Sequence, residues 1–144
     1  MFRLKLLELK NFLSYEHALI NFEKPGLYII SGYSEKGGDS NGAGKSAIFS
    51  AISYALFNRT NTGLTGDAIT RFGSSSPGEV TLVLTNKSGQ EYKIIRTPKS
   101  VQFTIDERRV EGHKRDVQQS INEAFKTDFN LFNNCISFSQ RSGN

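Results

Sequence analysis

The sequence predicts a mixed α/β fold, and three observations carry that expectation. A nearly all-apolar run at residues 27–31 leads through a glycine-rich stretch into a helix-patterned segment at 45–57. Before and after this unit, apolar and polar residues alternate with the period of two that marks strands. The elements do not follow a regular strand–helix alternation. Their order is strands, one helix, antiparallel hairpins, then helix, which favours an α+β lobe over a doubly wound sheet.

Each element follows from a local pattern. In 2–11, Phe2, Leu4 and Leu6 point one way and Arg3 and Lys5 the other. Residues 17–22 form a second short strand, and Pro25-Gly26 marks a turn. The run 27–31 is apolar throughout, as suits a strand covered on both faces. In 45–57, Ile48, Ala51, Ile52, Ala55 and Leu56 recur at helical spacing in one stripe, and Asn58 ends the helix. Residues 61–78, rich in Gly, Ser and Thr, read as a long surface segment. Val80, Leu82 and Leu84 alternate within 79–85. Asn86-Lys87-Ser88-Gly89 then turns the chain into a return strand at 90–97, completing a hairpin. After Pro98 comes a strand at 101–105, with Arg108-Arg109-Val110 placed to pair with it. Val117, Ile121, Ala124 and Phe125 give 113–125 a helical stripe. Thr127-Asp128 is placed to cap a short helix through 133, and 135–139 reads as a strand ending at Gln140.

The stretch Asn41-Gly42-Ala43-Gly44-Lys45-Ser46-Ala47 sits between the apolar run and the helix, and this context makes it a phosphate-binding loop. Glycines let successive backbone N–H groups turn toward phosphate oxygens. The helix N-terminus adds partial positive charge and unpaired donors. Lys45 is placed to reach the β- and γ-phosphates of a nucleoside triphosphate such as ATP, and the Ser46 hydroxyl to ligate Mg²⁺.

Bulk properties exclude several classes. With 144 residues the chain fits one domain, 1–144, that can bury a core. The single cysteine, Cys135, forms no internal disulfide, and two histidines supply no metal-cluster spacing. No apolar run reaches membrane-spanning length and no signal-peptide block opens the chain, so a cytoplasmic or nucleoid-associated location without membrane contact is expected. The net charge of +4 permits contact with nucleic acid without requiring it. Lys87, Lys93, Arg96, Lys99, Arg108, Arg109, Lys114 and Arg115 are the candidate DNA contacts. Phe103, Phe125, Phe129, Phe132 and Phe138 lie on apolar faces and are expected in the core.

Leu9-Lys10-Asn11-Phe12-Leu13-Ser14-Tyr15 resembles the opening Lys-Asn-Phe-x-Ser strand and turn of the SMC-like ABC ATPases, whose members include SbcC-type ATPases of double-strand-break repair nucleases. With the phosphate loop, the antiparallel middle and the terminal Phe138-Ser139-Gln140, which looks like the family's Q-loop, the resemblance covers essentially the whole chain. It implies the N-terminal half of an ABC-type head, a P-loop lobe with an antiparallel β-subdomain around the loop helix. Lys45 would neutralise developing charge, Ser46 would bind Mg²⁺, and Gln140 would complete the Mg²⁺ shell and sense the attacking water. Implied partners are the C-terminal half of the head, a second head in an ATP-dependent homodimer, a nuclease subunit and double-stranded DNA.

Two departures accompany the resemblance. Asp39 stands where the loop's first glycine would fall, so Gly32-Tyr33 would supply that pair, with residues 34–40 inserted and Glu35 and Asp39 turned outward. Leu13 stands where many relatives carry arginine. The chain shows no strand ending in Asp-Glu, no Ser-Gly-Gly signature and no coiled coil. A fragment that hydrolyses little ATP alone is therefore expected. A nucleotide-gated dimerisation or chromosome-organising module and an unrelated P-loop kinase or GTPase are the alternatives.

Overall fold

The structure, a computed structural model, describes residues 2–22 and 45–126. Its centre is a six-stranded sheet in the order β2-β1-β3-β4-β5-β6, with every neighbouring pair antiparallel. The strands are β1 (Phe2–Phe12), β2 (Tyr15–Asn21), β3 (Glu79–Asn86), β4 (Glu91–Arg96), β5 (Val101–Ile105) and β6 (Arg108–Arg109). Two helices, α1 (Lys45–Phe57) and α2 (Lys114–Phe125), pack on one face.

The pairing register explains which face is covered. Leu7 lies opposite Leu82, Leu9 opposite Val80, Leu82 opposite Ile94, and Ile94 opposite Phe103. Each of these side chains is fully buried, so the period-two pattern of four strands converges on one apolar surface. A bulge between Leu4 and Leu6 in β1 re-aims the start of that strand. Val117 and Ile121 of α2 close one end of the core, where Phe125 meets Phe2, Tyr92 and Phe103 at ring separations of 4.6, 5.5 and 6.2 Å. Phe103 and Phe125 thus serve packing, as expected.

Side chains spent on the backbone set the turns. Asn86 Oδ1 accepts from the Ser88 and Gln90 amides at 3.0 and 2.9 Å, and Gly89 takes φ +81°, closing the β3–β4 hairpin. Asp106 and Glu107 both adopt left-handed φ in the β5–β6 turn, where Asp106 Oδ1 accepts from the Glu91 amide at 2.8 Å. Asn58 takes φ +64° and ends α1, as expected. Helix α2 starts at Lys114, with the His113 amide donating to Asp116 Oδ2 at 3.1 Å.

Three expectations need correction. Helix α1 has no single apolar stripe: Ser50, Ser53 and Tyr54 are buried along with Ile48, Ala51, Ile52, Ala55 and Leu56. A helix buried on every side belongs to the interior. Its two serines are accommodated because Ser50 Oγ donates to Asn61 Oδ1 at 2.6 Å and Ser53 Oγ to the Arg59 carbonyl at 2.9 Å. Strand β3 likewise buries Thr81 and Val83 as well as its alternating leucines.

The segment 61–78 is not simply surface. Thr60, just before it, and Ile69 are fully buried, and Gly66–Ile69 form a 3-10 turn. The Leu13 amide donates to the Ile69 carbonyl, and the Arg71 amide to the Asn11 carbonyl, both at 2.8 Å. Composition misleads here because the backbone borrows bonds from the end of β1. The expected strands at 27–31 and 135–139 and the helix after Thr127 lie outside the described residues.

Candidate functional site

The sequence places the candidate site at the start of α1, and the structure begins that helix at Lys45. Residues 45 and 46 form its first turn, and Ala47 behind them is buried. Asn41, Gly42, Ala43, Gly44 and Gln140 lie outside the described residues. The first turn of α1 carries no acidic residue, so no carboxylate within it offsets the positive end of the helix dipole. That is the electrostatic requirement for an anion at this terminus.

The opposite end of α1 is held by two side chains that reach the last carbonyls. Arg96, at the end of β4, is only 4% exposed, and its Nε donates to the Ala55 carbonyl at 3.0 Å. Its guanidinium also donates to Gln118 Oε1 at 2.6 Å, and Gln118 Nε2 donates to the Leu56 carbonyl at 2.7 Å. A cation at a helix C-terminus complements the dipole. The clamp therefore ties α1 to both the sheet and α2 while satisfying carbonyls that would otherwise lack partners.

Burial governs the ionisation of this cluster. It lowers Arg96 to about 10, opposed by neighbouring Tyr54. It pushes the Tyr54 phenol up to about 12, against the pull of Arg96. The Tyr54 hydroxyl is buried without a hydrogen-bond partner among the described residues.

Arg96 is consequently corrected as a DNA contact: it is structural. The missed signal lay in the strand alternation, because Tyr92, Ile94 and Arg96 all belong to the buried set of β4. Gln118 carried no local signal, since its role arises from contact with a helix 62 positions away. The other candidate contacts are spread over several elements. Lys87 lies in the β3–β4 turn, Lys93 in β4, Arg108 and Arg109 on the edge strand, and Lys114 and Arg115 in the first turn of α2. Lys93 and Arg109 both lie opposite Thr104. Lys99 sits apart, in a cleft with Arg71. Lys87 is fixed in a hairpin turn whose Asn86 Oδ1 is occupied by the Ser88 and Gln90 amides.

No group of three or more His, Cys, Asp or Glu positioned to hold a metal occurs among the described residues. No helix among them is long and apolar enough to cross a membrane.

Comparison with known proteins agrees with this architecture. The profile of the AAA domain family matches residues 6–143. Over 98 residues, 68% of the chain, the sequence is 39% identical to the DNA double-strand break repair Rad50 ATPase of Saccharolobus solfataricus. The matched part spans 10% of that relative. Two solved structures of the recombination mediator protein RecF, titled RecF-ATP and RecF-ATPrS, superpose with TM-scores of 0.54 and 0.53. Each covers 83% of this chain, at 14% and 15% identity, and this chain spans 30% and 29% of theirs. At such identity these two show a shared fold.

Proposed function

The chain belongs to the AAA-domain family as an SMC-like ABC ATPase head segment, and from that premise we propose that it is the ATP-binding lobe of a DNA-repair ATPase. One observation carries the reading: the buried helix α1 starts at the Gly-Lys-Ser boundary, with its N-terminal turn free of carboxylates.

On this reading the chain's own residues bind and orient a triphosphate. Backbone amides of Gly42 to Ser46 hold the β- and γ-phosphates, and Lys45 sets its ammonium against their charge. The donor set suits Mg²⁺, a hard cation served by hydroxyl and amide oxygens, with Ser46 and Gln140 as the residues that would hold it. Bound there, Mg²⁺ would draw charge from the phosphoryl oxygens. The Arg96–Gln118 clamp keeps α1 at a fixed position against the sheet, so the phosphate end of the helix inherits the rigidity of the core.

The relative's name supports a role in double-strand-break repair. The proposed partners are the complementary half of the head, a second head joined through ATP, a nuclease subunit and double-stranded DNA. In that assembly, preference of ATP for the paired state would turn binding energy into a change of shape.

Titration with fluorescent ATP and Mg²⁺, beside Lys45→Ala, tests the reading. Mg²⁺-dependent binding that Lys45→Ala abolishes, with GTP a poor competitor and negligible phosphate release, is the expected result. Equal binding by Lys45→Ala would place the nucleotide elsewhere and overturn it.

A further inference from the structure

Beyond the nucleotide site, the segment after the 3-10 turn carries Phe72, a phenylalanine that is 100% exposed. It is held out by a braced base. Ile69 is buried, the Arg71 amide is bonded to the Asn11 carbonyl, and the Gly78 amide donates to Thr70 Oγ1 at 3.0 Å. Gly73, at φ +81°, turns the chain directly after the ring. Beside this tip opens a cleft of about 440 Å³ that also reaches the β4–β5 turn. Arg71 and Lys99 line it, facing one carboxylate, Asp67, and the exposed Ser75. Neither cation has an ion-pair partner among the described residues. Among the described residues, its apolar lining comes from Pro77 and Pro98.

We propose that the Arg71–Phe72 tip and the Lys99 turn form a contact site for single-stranded nucleic acid, with a base stacked on Phe72 and the phosphodiester backbone crossing the cleft. An exposed aromatic ring beside cations is the combination that unpaired strands use, since every base has a π-face and every linkage a charge. The excess of positive charge in the cleft, two cations to one carboxylate, suits a phosphodiester. An apolar protein partner fits less well, because the centre of a protein interface is depleted in Lys and Ser, the residues found here. Bracing at Ile69–Arg71 limits the ordering that binding would require. The inference rests on the DNA reading above and narrows it to the unpaired part of a DNA end.

The test is fluorescence anisotropy of the whole chain with a labelled oligo-thymidine strand, with an unlabelled duplex as competitor. Phe72→Ala is expected to weaken binding by about tenfold without changing Tm, as the ring lies outside the core. Phe72→Trp should retain affinity and Phe72→Leu should not. Arg71→Gln and Lys99→Gln should each flatten the dependence of log K on log salt by about 0.7. Wild-type affinity in Phe72→Ala overturns the site but leaves a DNA role intact. Wild-type affinity in Phe72→Leu makes the ring an apolar anchor and overturns stacking. Absence of strand binding by a chain that still binds Mg²⁺-ATP overturns the inference while sparing the nucleotide reading.

Discussion

Arg96 shows how a single residue can be misread from type and correctly read from position. As a basic residue in a basic chain it invites a nucleic-acid role, yet its register places it opposite Val80 and Val101 on the buried face. Its hydrogen bonds then go to the end of α1. Arg96→Leu should lower unfolding free energy by about 2–3 kcal/mol in urea titrations, because the Ala55 carbonyl and Gln118 Oε1 lose a charged donor in a buried setting.

Tyr54 gives the opposite prediction. Its hydroxyl is buried without a partner among the described residues, so Tyr54→Phe should leave the fold as stable or raise it by about 1 kcal/mol near neutral pH. A phenol whose pKa rises on folding, here from 10.0 to about 12, stabilises the native state fully below pH 10 and loses that contribution as pH climbs through 12. Arg96, lowered on folding, works in the other sense across the same window. Tyr54→Phe should therefore gain stability relative to the parent between pH 10 and 12, as thermal melts in that range would show.

At the level of elements, strands and the hairpin were legible because their information is local. The alternation of Leu82 and Leu84, the Asn86–Gly89 turn and the stripe of Val117 and Ile121 all announce themselves within a few positions. The segment 61–78 was not legible in this way, since its order comes from the end of β1, some 60 positions earlier. Gly78 marks how close that approach is. A Cβ there would lie 2.6 Å from Ile69 Cδ1 and 2.9 Å from the Asn11 carbonyl oxygen. Gly78→Ala should accordingly destabilise by about 1–3 kcal/mol by overpacking, read as a lowered urea midpoint with an unchanged slope. The burial of the polar residues of α1 was hidden for a similar reason: Ser50 and Ser53 look polar in sequence and become interior only through Asn61 and the Arg59 carbonyl.

For the whole molecule, the fold class was legible because the order of elements ruled out regular alternation. The stretch 41–47 has the spacing of a phosphate loop, and the structure adds the start of α1 at Lys45. What the sequence did not disclose is the mechanical frame behind that boundary. An antiparallel sheet and a second helix grip the carbonyl end of α1 through Arg96 and Gln118. The central claim is thus spatial: nucleotide energy enters at the first turn of α1. Amide hydrogen exchange with and without Mg²⁺-ATP tests it most directly. The account predicts added protection at residues 45–48, none in Lys45→Ala, and unchanged exchange in the edge strand β6. Unaltered exchange at 45–48 under saturating nucleotide would contradict it.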